Sequence, residues 1–272
     1  MAWVRTVGKS RELVMATDSR LRFGCAWDCC PKLMMMPRSD IAVAFSGDTQ
    51  YAYPLILQMS SAIEHYSRSK SRAMDLYDLK GFTVKMFNQL RDLITDLPRG
   101  QEHADPPETK FILGGYSWRR KRFAVWLIHF DAHSRKFTFR PSHSWPRSKG
   151  KKVLCMTGDH LDEAKRLIVA KLKKKNKLLE GGFDMEPFEV LRDMIRSGKF
   201  PEIGGAPQVL KVQEHMNCTP YSVYWPDRQS NNISLLGRPL FDYEFSEAMI
   251  LDPDSLEVFG RDSSSTRLVR QP

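Results

Sequence analysis

The sequence predicts an α+β fold in which two central sheets are covered on their outer faces by pairs of helices. Two observations carry this expectation. The hydrophobic periodicity runs strands, two helices, strands, two helices, strands, an order that fits two sheets enclosed by helix pairs. A doubly wound parallel sheet would need strands and helices to alternate singly, and they do not. The composition agrees: 272 residues with 42% apolar and 27% charged side chains form an ordinary globular chain, long enough to bury a full core.

The first element is a hairpin. A strand over Ala2–Gly8, a polar turn at Lys9–Glu12 and a second strand over Leu13–Thr17 end on Asp18-Ser19-Arg20. Folding about residues 10 and 11 would bring position 2 to the open end, near Asp18. Cys30-Pro31-Lys32 opens an apolar run to Met36, and Ile41–Phe45 stops at Ser46-Gly47-Asp48. A helix over 48–67 follows from Ala52, Leu55, Ile56, Met59 and Ile63, with Asp48 as its N-cap and Pro54 as an awkward interior residue. After a charged linker, Ser67–Arg72, a second helix over 75–97 carries Leu79, Phe82, Met86, Leu90, Ile94 and Leu97, and Pro98 with Gly100 ends it.

Strands return at Lys110–Gly114, Phe123–Phe130 and Lys136–Arg140, the last two joined by a turn near Asp131–Ser134. A basic loop over Pro141–Lys151 leads to a strand at Lys152–Met156 and then to Thr157-Gly158-Asp159. The third helix, 160–178, has Leu161, Ala164, Ile168 and Leu172 on one face and lysines on the other. The fourth, 186–197, has Pro187 in its first turn and Gly198 past its end. Strands at Gln208–Glu214 and Ile233–Leu236, a shorter one at Tyr221–Trp225, and a Ser-rich tail from Arg261, expected to be disordered, complete the chain. No internal repeat is present.

The opening pattern LVMATDSR…PKLMMM…IAVAFSGD is similar to that of the proteasome family of N-terminal-nucleophile hydrolases. In that opening an Asp, a Lys and a Gly follow an amino-terminal threonine. The resemblance is closest over about residues 2–60 and continues in the order of elements to about residue 240. It implies a four-layer αββα sandwich, with a domain over 1–240 (core 1–180, C-terminal elaboration 181–240) and an extension over 241–272.

It also implies chemistry. An amino-terminal threonine can be both nucleophile and base, because its own α-amine accepts the hydroxyl proton, and that amine titrates near working pH, at about 8. The resemblance assigns Lys32 to lowering the amine and hydroxyl pKa values, and Asp18 to pairing with and orienting Lys32. It makes the Gly47 N–H an oxyanion donor, Arg20 a brace for the same loop, and Thr157, Gly158 and Asp159 a second polar cluster near the amine. The family's threonine position holds Ala2. Once Met1 is removed, Ala2 offers the amine without the hydroxyl, which abolishes nearly all covalent catalysis. Three readings stay open: a natural pseudo-enzyme, an engineered Thr-to-Ala knockout, or a nucleophile elsewhere. Thr6, the only close hydroxyl, is expected mid-strand opposite Val14.

Other features carry less. His129 and His133 flank Asp131 but lack zinc spacing and further ligands, and are read as turn residues. Lys171–Lys177 reads as a solvated helix end. Arg119-Arg120-Lys121-Arg122, beside Tyr116 and Trp118, could stack bases, but ordinary sheet packing accounts for the aromatics. Met34-Met35-Met36 reads as core strand, and Ile203–Gln208 as a turn without the context of a dinucleotide loop.

The net charge of +10 and pI of about 9.4 permit acidic partners without requiring them. The basic excess lies in Arg119–Arg122, Arg147–Lys152 and Lys171–Lys177. Five irregularly spaced cysteines, no secretory layout and no apolar run of about eighteen residues point to a cytoplasmic protein with reduced thiols. The expected partners are a peptide or amide substrate and further copies of the chain, a homo-oligomer being implied by the resemblance. A regulatory ATPase is compatible with it; nucleic acid and membrane are not expected, and no cofactor or metal is called for. The rival expectation is a non-catalytic, self-assembling scaffold that uses its basic surface for nucleic acid or an acidic partner.

Overall fold

The computed structural model describes residues 1–8, 10–142, 152–179 and 182–260. Within them the chain is a mixed α+β protein with five helices and several largely antiparallel sheets. A hairpin of β1 (Ala2–Val7) and β2 (Ser10–Thr17) is followed by a small ribbon, β3 (Leu21–Arg22) with β4 (Ala26–Trp27), and then by β5 (Leu33–Met35) and β6 (Ile41–Ser46). Helices α1 (Thr49–His65), α2 (Ser67–Lys70) and α3 (Leu76–Arg91) precede β7 (Lys110–Ser117), β8 (Arg122–Asp131), β9 (Lys136–Pro141) and β10 (Leu154–Cys155). The second helix pair is α4 (Leu161–Lys174) and α5 (Glu186–Ser197). Last come β11 (Gln208–Gln213), β12 (Cys218–Tyr224), β13 (Ile233–Leu235), β14 (Arg238–Pro239), β15 (Ile250–Leu251) and β16 (Val258–Phe259).

The smaller main sheet runs β5-β6-β7-β8-β9. The larger runs β10-β1-β2-β11-β12-β13-β14, with β15 added in parallel to β12 and β16 antiparallel to β15. Three apolar clusters hold these parts together. One packs Ala52, Ile56 and Met59 of α1 and Leu76, Leu79 and Phe87 of α3 onto Val43, Phe111 and Ile128 of the smaller sheet. A second packs Ile168 and Leu172 of α4 and Phe188 and Met194 of α5 onto Trp3, Val14 and Val209 of the larger sheet. The third joins the two sheets: Ala2, Leu13, Met15 and Leu210 meet Leu33, Ala44, Ile112 and Val125. Alternation along β2, with Leu13 and Met15 to one side and Val14 and Ala16 to the other, fits a strand buried on both faces. Leu13, Val14 and Met15 each contribute about 1.5–3 kcal/mol on burial.

Local signals explain most element ends. The Asp48 side chain accepts a hydrogen bond from the Gln50 N–H at 2.7 Å and caps α1, and Pro54 lies on the exposed face of that helix. Pro187 sits in the first turn of α5, and Gly198 closes it in the left-handed region.

Other boundaries differ from the expectation. The two strands pair up to Val7 and Ser10, so Thr6 faces Arg11 rather than Val14. The polar residues Ser10–Glu12 join the ladder because Arg5 bonds Glu12 across it at 3.1 Å. Helix α3 stops at Arg91, six residues early. Ile94 of the predicted stripe is 39% exposed, and the chain tightens into three-residue bonds from the Leu93 and Ile94 N–H groups. The linker expected at Ser67–Arg72 contains α2. The strand expected at Lys152–Met156 shrinks to β10, and the third helix ends at Lys174. Leu236 and Gly237, with φ of 48° and 93°, form a tight turn between β13 and β14, so the strand expected at Ile233–Leu236 ends at Leu235.

The segment after residue 180 builds the middle of the larger sheet, since β11 pairs directly with β2, and β15 brings part of 241–260 into the same sheet. Lys9 of the expected polar turn, most of the basic loop Pro141–Lys151 and the tail from Arg261 lie outside the described residues. No described helix is long and apolar enough to cross a membrane.

Candidate active site

At the open end of the β1–β2 hairpin the chain forms a cleft of about 470 Å³. Its walls come from four places: the hairpin end (Met1, Thr17, Asp18), the strand start at Lys32, the turn Ser46-Gly47-Asp48, and Thr157-Gly158-Asp159 ahead of α4. The apolar floor includes Ala44, Ile112, Leu191 and Met194.

Lys32 and Asp18 meet in this cleft. The Lys32 Nζ donates to Asp18 Oδ1 at 2.9 Å, with side chains only 13% and 14% exposed. The other oxygen, Oδ2, accepts the backbone N–H groups of Arg20 and Gly204, both at 3.1 Å. A carboxylate holding three donors is fixed in orientation. Lys32 has three N–H donors, so its contact with Asp18 leaves donor capacity toward the cleft.

Gly47 follows β6 at φ +89°. A Cβ there would lie 2.6 Å from the Glu108 carbonyl oxygen, so both conformation and space require glycine. Across the cleft the Ser46 and Thr157 hydroxyls are 2.8 Å apart and hydrogen-bonded. That contact ties the Gly47 turn to the Thr157-Gly158-Asp159 segment.

The amino terminus lies at the same end. The Met1 amine donates to the Ala16 carbonyl at 2.7 Å, and the Met1 carbonyl accepts from the Ala16 N–H. Burial holds this amine down to about 6, against the opposing pull of Cys155 and Asp18. It is therefore largely neutral at pH 7 and able to accept a proton. The nearby thiol is not activated: burial pushes Cys155 up to about 11, so the thiolate a nucleophile needs is absent near neutral pH.

Asp18, Lys32, Gly47, Thr157, Gly158 and Asp159 thus share one cleft. Arg20 reaches its rim by a different route from the expected one. Its guanidinium makes a two-pronged pair with Asp28, at 2.6 and 2.7 Å, and donates to the Pro201 carbonyl at 3.1 Å. It pins the β3–β4 ribbon to the loop after α5 and leaves the Gly47 turn to other residues. Gly204 packs so closely on this guanidinium that a Cβ would lie 2.3 Å from Arg20 Cζ. Ala2 is fully buried in the cluster between the sheets, paired with Met15 and Cys155, and is not among the cleft-lining residues; Met1 is. Thr6 is exposed near the other end of the hairpin.

Sequence reasoning missed Gln208 and Gly204. Both fell in or beside a stretch read as a plain turn, yet the Gly204 N–H holds Asp18, and the Gln208 side chain binds the backbone on either side of the Asp18–Lys32 loop. The available signal was a polar residue at the head of a strand otherwise reading Val209, Leu210, Val212. His129 and His133 belong to no metal-ligating group; among the described residues no cluster of three or more His, Cys, Asp or Glu could hold a metal ion. No protein-family model and no curated protein sequence matches the chain.

Proposed function

We propose that the chain is a four-layer αββα sandwich of the N-terminal-nucleophile type, built like a proteasome β-subunit. In this reading it is the frame of a threonine-type peptidase or amidohydrolase whose nucleophile position, Ala2, lacks the hydroxyl, so the chain as written is inactive. The observation that carries the reading is the 2.9 Å Asp18–Lys32 contact, in a cleft that also takes in the Met1 amine and the Gly47 turn. The layer order is supported by the three clusters, one between the sheets and one under each helix pair.

The roles follow from the chemistry. Loss of Met1 would make the Ala2 amine the terminal one, one residue along from the Met1 amine whose charged form burial disfavours. A hydroxyl at position 2 would then have its base in the same residue. Lys32 supplies positive charge next to it, Asp18 orients Lys32, and the Gly47 N–H faces the oxygen of a carbonyl under attack. Thr157, Gly158 and Asp159 support the turn that carries Gly47. Copies of the chain assemble through their helix faces, which native mass and sedimentation measure.

The test is Ala2→Thr, with removal of Met1 verified, assayed on fluorogenic peptide and amide substrates. Turnover that appears with this change and falls by about a thousandfold or more with added Lys32→Ala supports the reading. A folded Ala2→Thr protein with no turnover on any substrate removes it.

One observation favours a second reading: Ala2 is fully buried between the sheets, with Met1 in front of it. A nucleophile position closed off from the cleft in this way suits a scaffold that keeps the fold for assembly and binds nucleic acid or an acidic partner on its basic surface. Retention of single-stranded nucleic acid that weakens steeply with salt, without turnover in the Ala2→Thr protein, would support it.

A further inference from the structure

The Gln208 side chain is fully buried at the start of β11, and each of its hydrogen-bonding positions is used. Its Oε1 accepts the backbone N–H groups of Lys32 and Leu33, both at 3.1 Å. Its Nε2 donates to the carbonyls of Cys30, at 2.8 Å, and Asp18, at 3.2 Å. A primary amide has two acceptor lone pairs and two N–H donors, so this set is complete. The four backbone groups it holds are the two ends of the loop between Asp18 and Lys32. This amide therefore ties together the chain segments that carry the ion pair, alongside the backbone bond from the Cys30 N–H to the Ser19 carbonyl at 3.0 Å.

No other polar side chain among the described residues hydrogen-bonds the backbone at both ends of this loop. The Ser19 hydroxyl fastens one end by donating to the Ala206 carbonyl, and the Gly204 N–H reaches the Asp18 carboxylate. Lys32 bonds Asp18 through a flexible four-carbon stem, and such a stem holds its ammonium in place only if its backbone is held. Strand β11 is itself fixed by pairing with β2, residue 208 opposite Thr17. The link thus runs from the centre of the larger sheet to both members of the pair.

We infer that Gln208 is the positioning residue of the candidate active site, setting the Asp18 and Lys32 backbones so that their side chains meet in the cleft. The role in turnover rests on the hydrolase reading above; the role in placing Lys32 does not. The two are separated by measuring Lys32 itself. In the parent protein, Gln208→Ala, Gln208→Glu and Val212→Ala, the rate of Lys32 acetylation by acetic anhydride is followed by peptide mass mapping. Val212 is buried on the same strand without touching the pair, and so reports general loosening. Gln208→Glu keeps acceptors for the Lys32 and Leu33 N–H groups but sets an oxygen against the Asp18 and Cys30 carbonyls, and it serves if Gln208→Ala does not fold.

A Lys32 that is no longer held should acetylate about threefold faster or more in both Gln208 variants, with Val212→Ala near the parent rate. In the Ala2→Thr background the same variants should lower kcat by about a hundredfold with KM little changed. Unchanged Lys32 acetylation in a folded Gln208 variant overturns the inference, even if Ala2→Thr turns over peptides. An equal rise in Val212→Ala also overturns it. Faster acetylation with an inactive Ala2→Thr protein would leave the positioning role standing and remove the hydrolase reading.

Discussion

Two of the acid–base pairs packed among the described residues, Arg38–Asp40 and Lys32–Asp18, are built differently. The Arg38 and Asp40 side chains are both fully buried and joined by two bonds of 2.7 Å, and the Ser69 and Met74 carbonyls accept from Nη1, so four of the five guanidinium N–H donors are used. Every strong donor points back into the protein, so this pair can only brace the segment between α1 and α3. Asp18 and Lys32 share a single bond. The carboxylate is saturated by backbone N–H groups, while the lysine keeps donor capacity at the edge of a cleft. A closed pair spends its capacity on the fold; an open pair holds its acid still and leaves its base free to act on a third group.

The comparison can be broken from the closed side first. Arg38→Met leaves the Asp40 carboxylate buried without a partner and should cost about 3–5 kcal/mol in chemical denaturation. Gln208 and Lys32 lie elsewhere, so Lys32 acetylation should stay at the parent rate. A loss below about 1 kcal/mol would mean that the pair adds no more than a surface pair does.

The amine at the cleft gives the next effect. Its folded value of about 6 is below its ordinary value of 8.0. The unfolded chain therefore binds more protons between the two values, and stability rises as pH increases through that window. The gain is about 2–3 kcal/mol at most, present above pH 8 and lost as pH falls through 6. Urea denaturation of the chain with a free Met1 amine, compared with its amino-acetylated form, isolates this term. Equal pH slopes for the two forms would contradict it.

Lys32→Met should be smaller still, about 1–2 kcal/mol, because the remaining carboxylate keeps two backbone donors and borders the cleft. If Lys32→Met cost as much as Arg38→Met, the contrast between open and closed pairs would fail.

The same contrast explains what could be read in the sequence. The Asp18, Lys32 and Gly47 positions were legible because each sits where a local signal changes: a strand end, a break before an apolar run, a turn before a helix. Their convergence follows from the hairpin and from β6 feeding α1, both local events. The partners that finish the site were not legible. Gly204 and Gln208 reach Asp18 from more than 180 positions away, and Asp28 takes the Arg20 guanidinium through a ribbon too short to show periodicity. The end of α3 was misplaced for a related reason. Ile94 continues the apolar spacing, yet the helix ends before it and it is 39% exposed.

The most direct measurement is the intact mass of the Ala2→Thr protein, Met1 removed, after incubation with a peptide epoxyketone, a reagent that needs a hydroxyl and an amine on the same terminal residue. A threonine set beside Lys32 should give a single stoichiometric adduct that disappears in the Ala2→Thr, Lys32→Ala double variant. A folded Ala2→Thr protein that keeps its unmodified mass would contradict the claim that this cleft is a nucleophile's site.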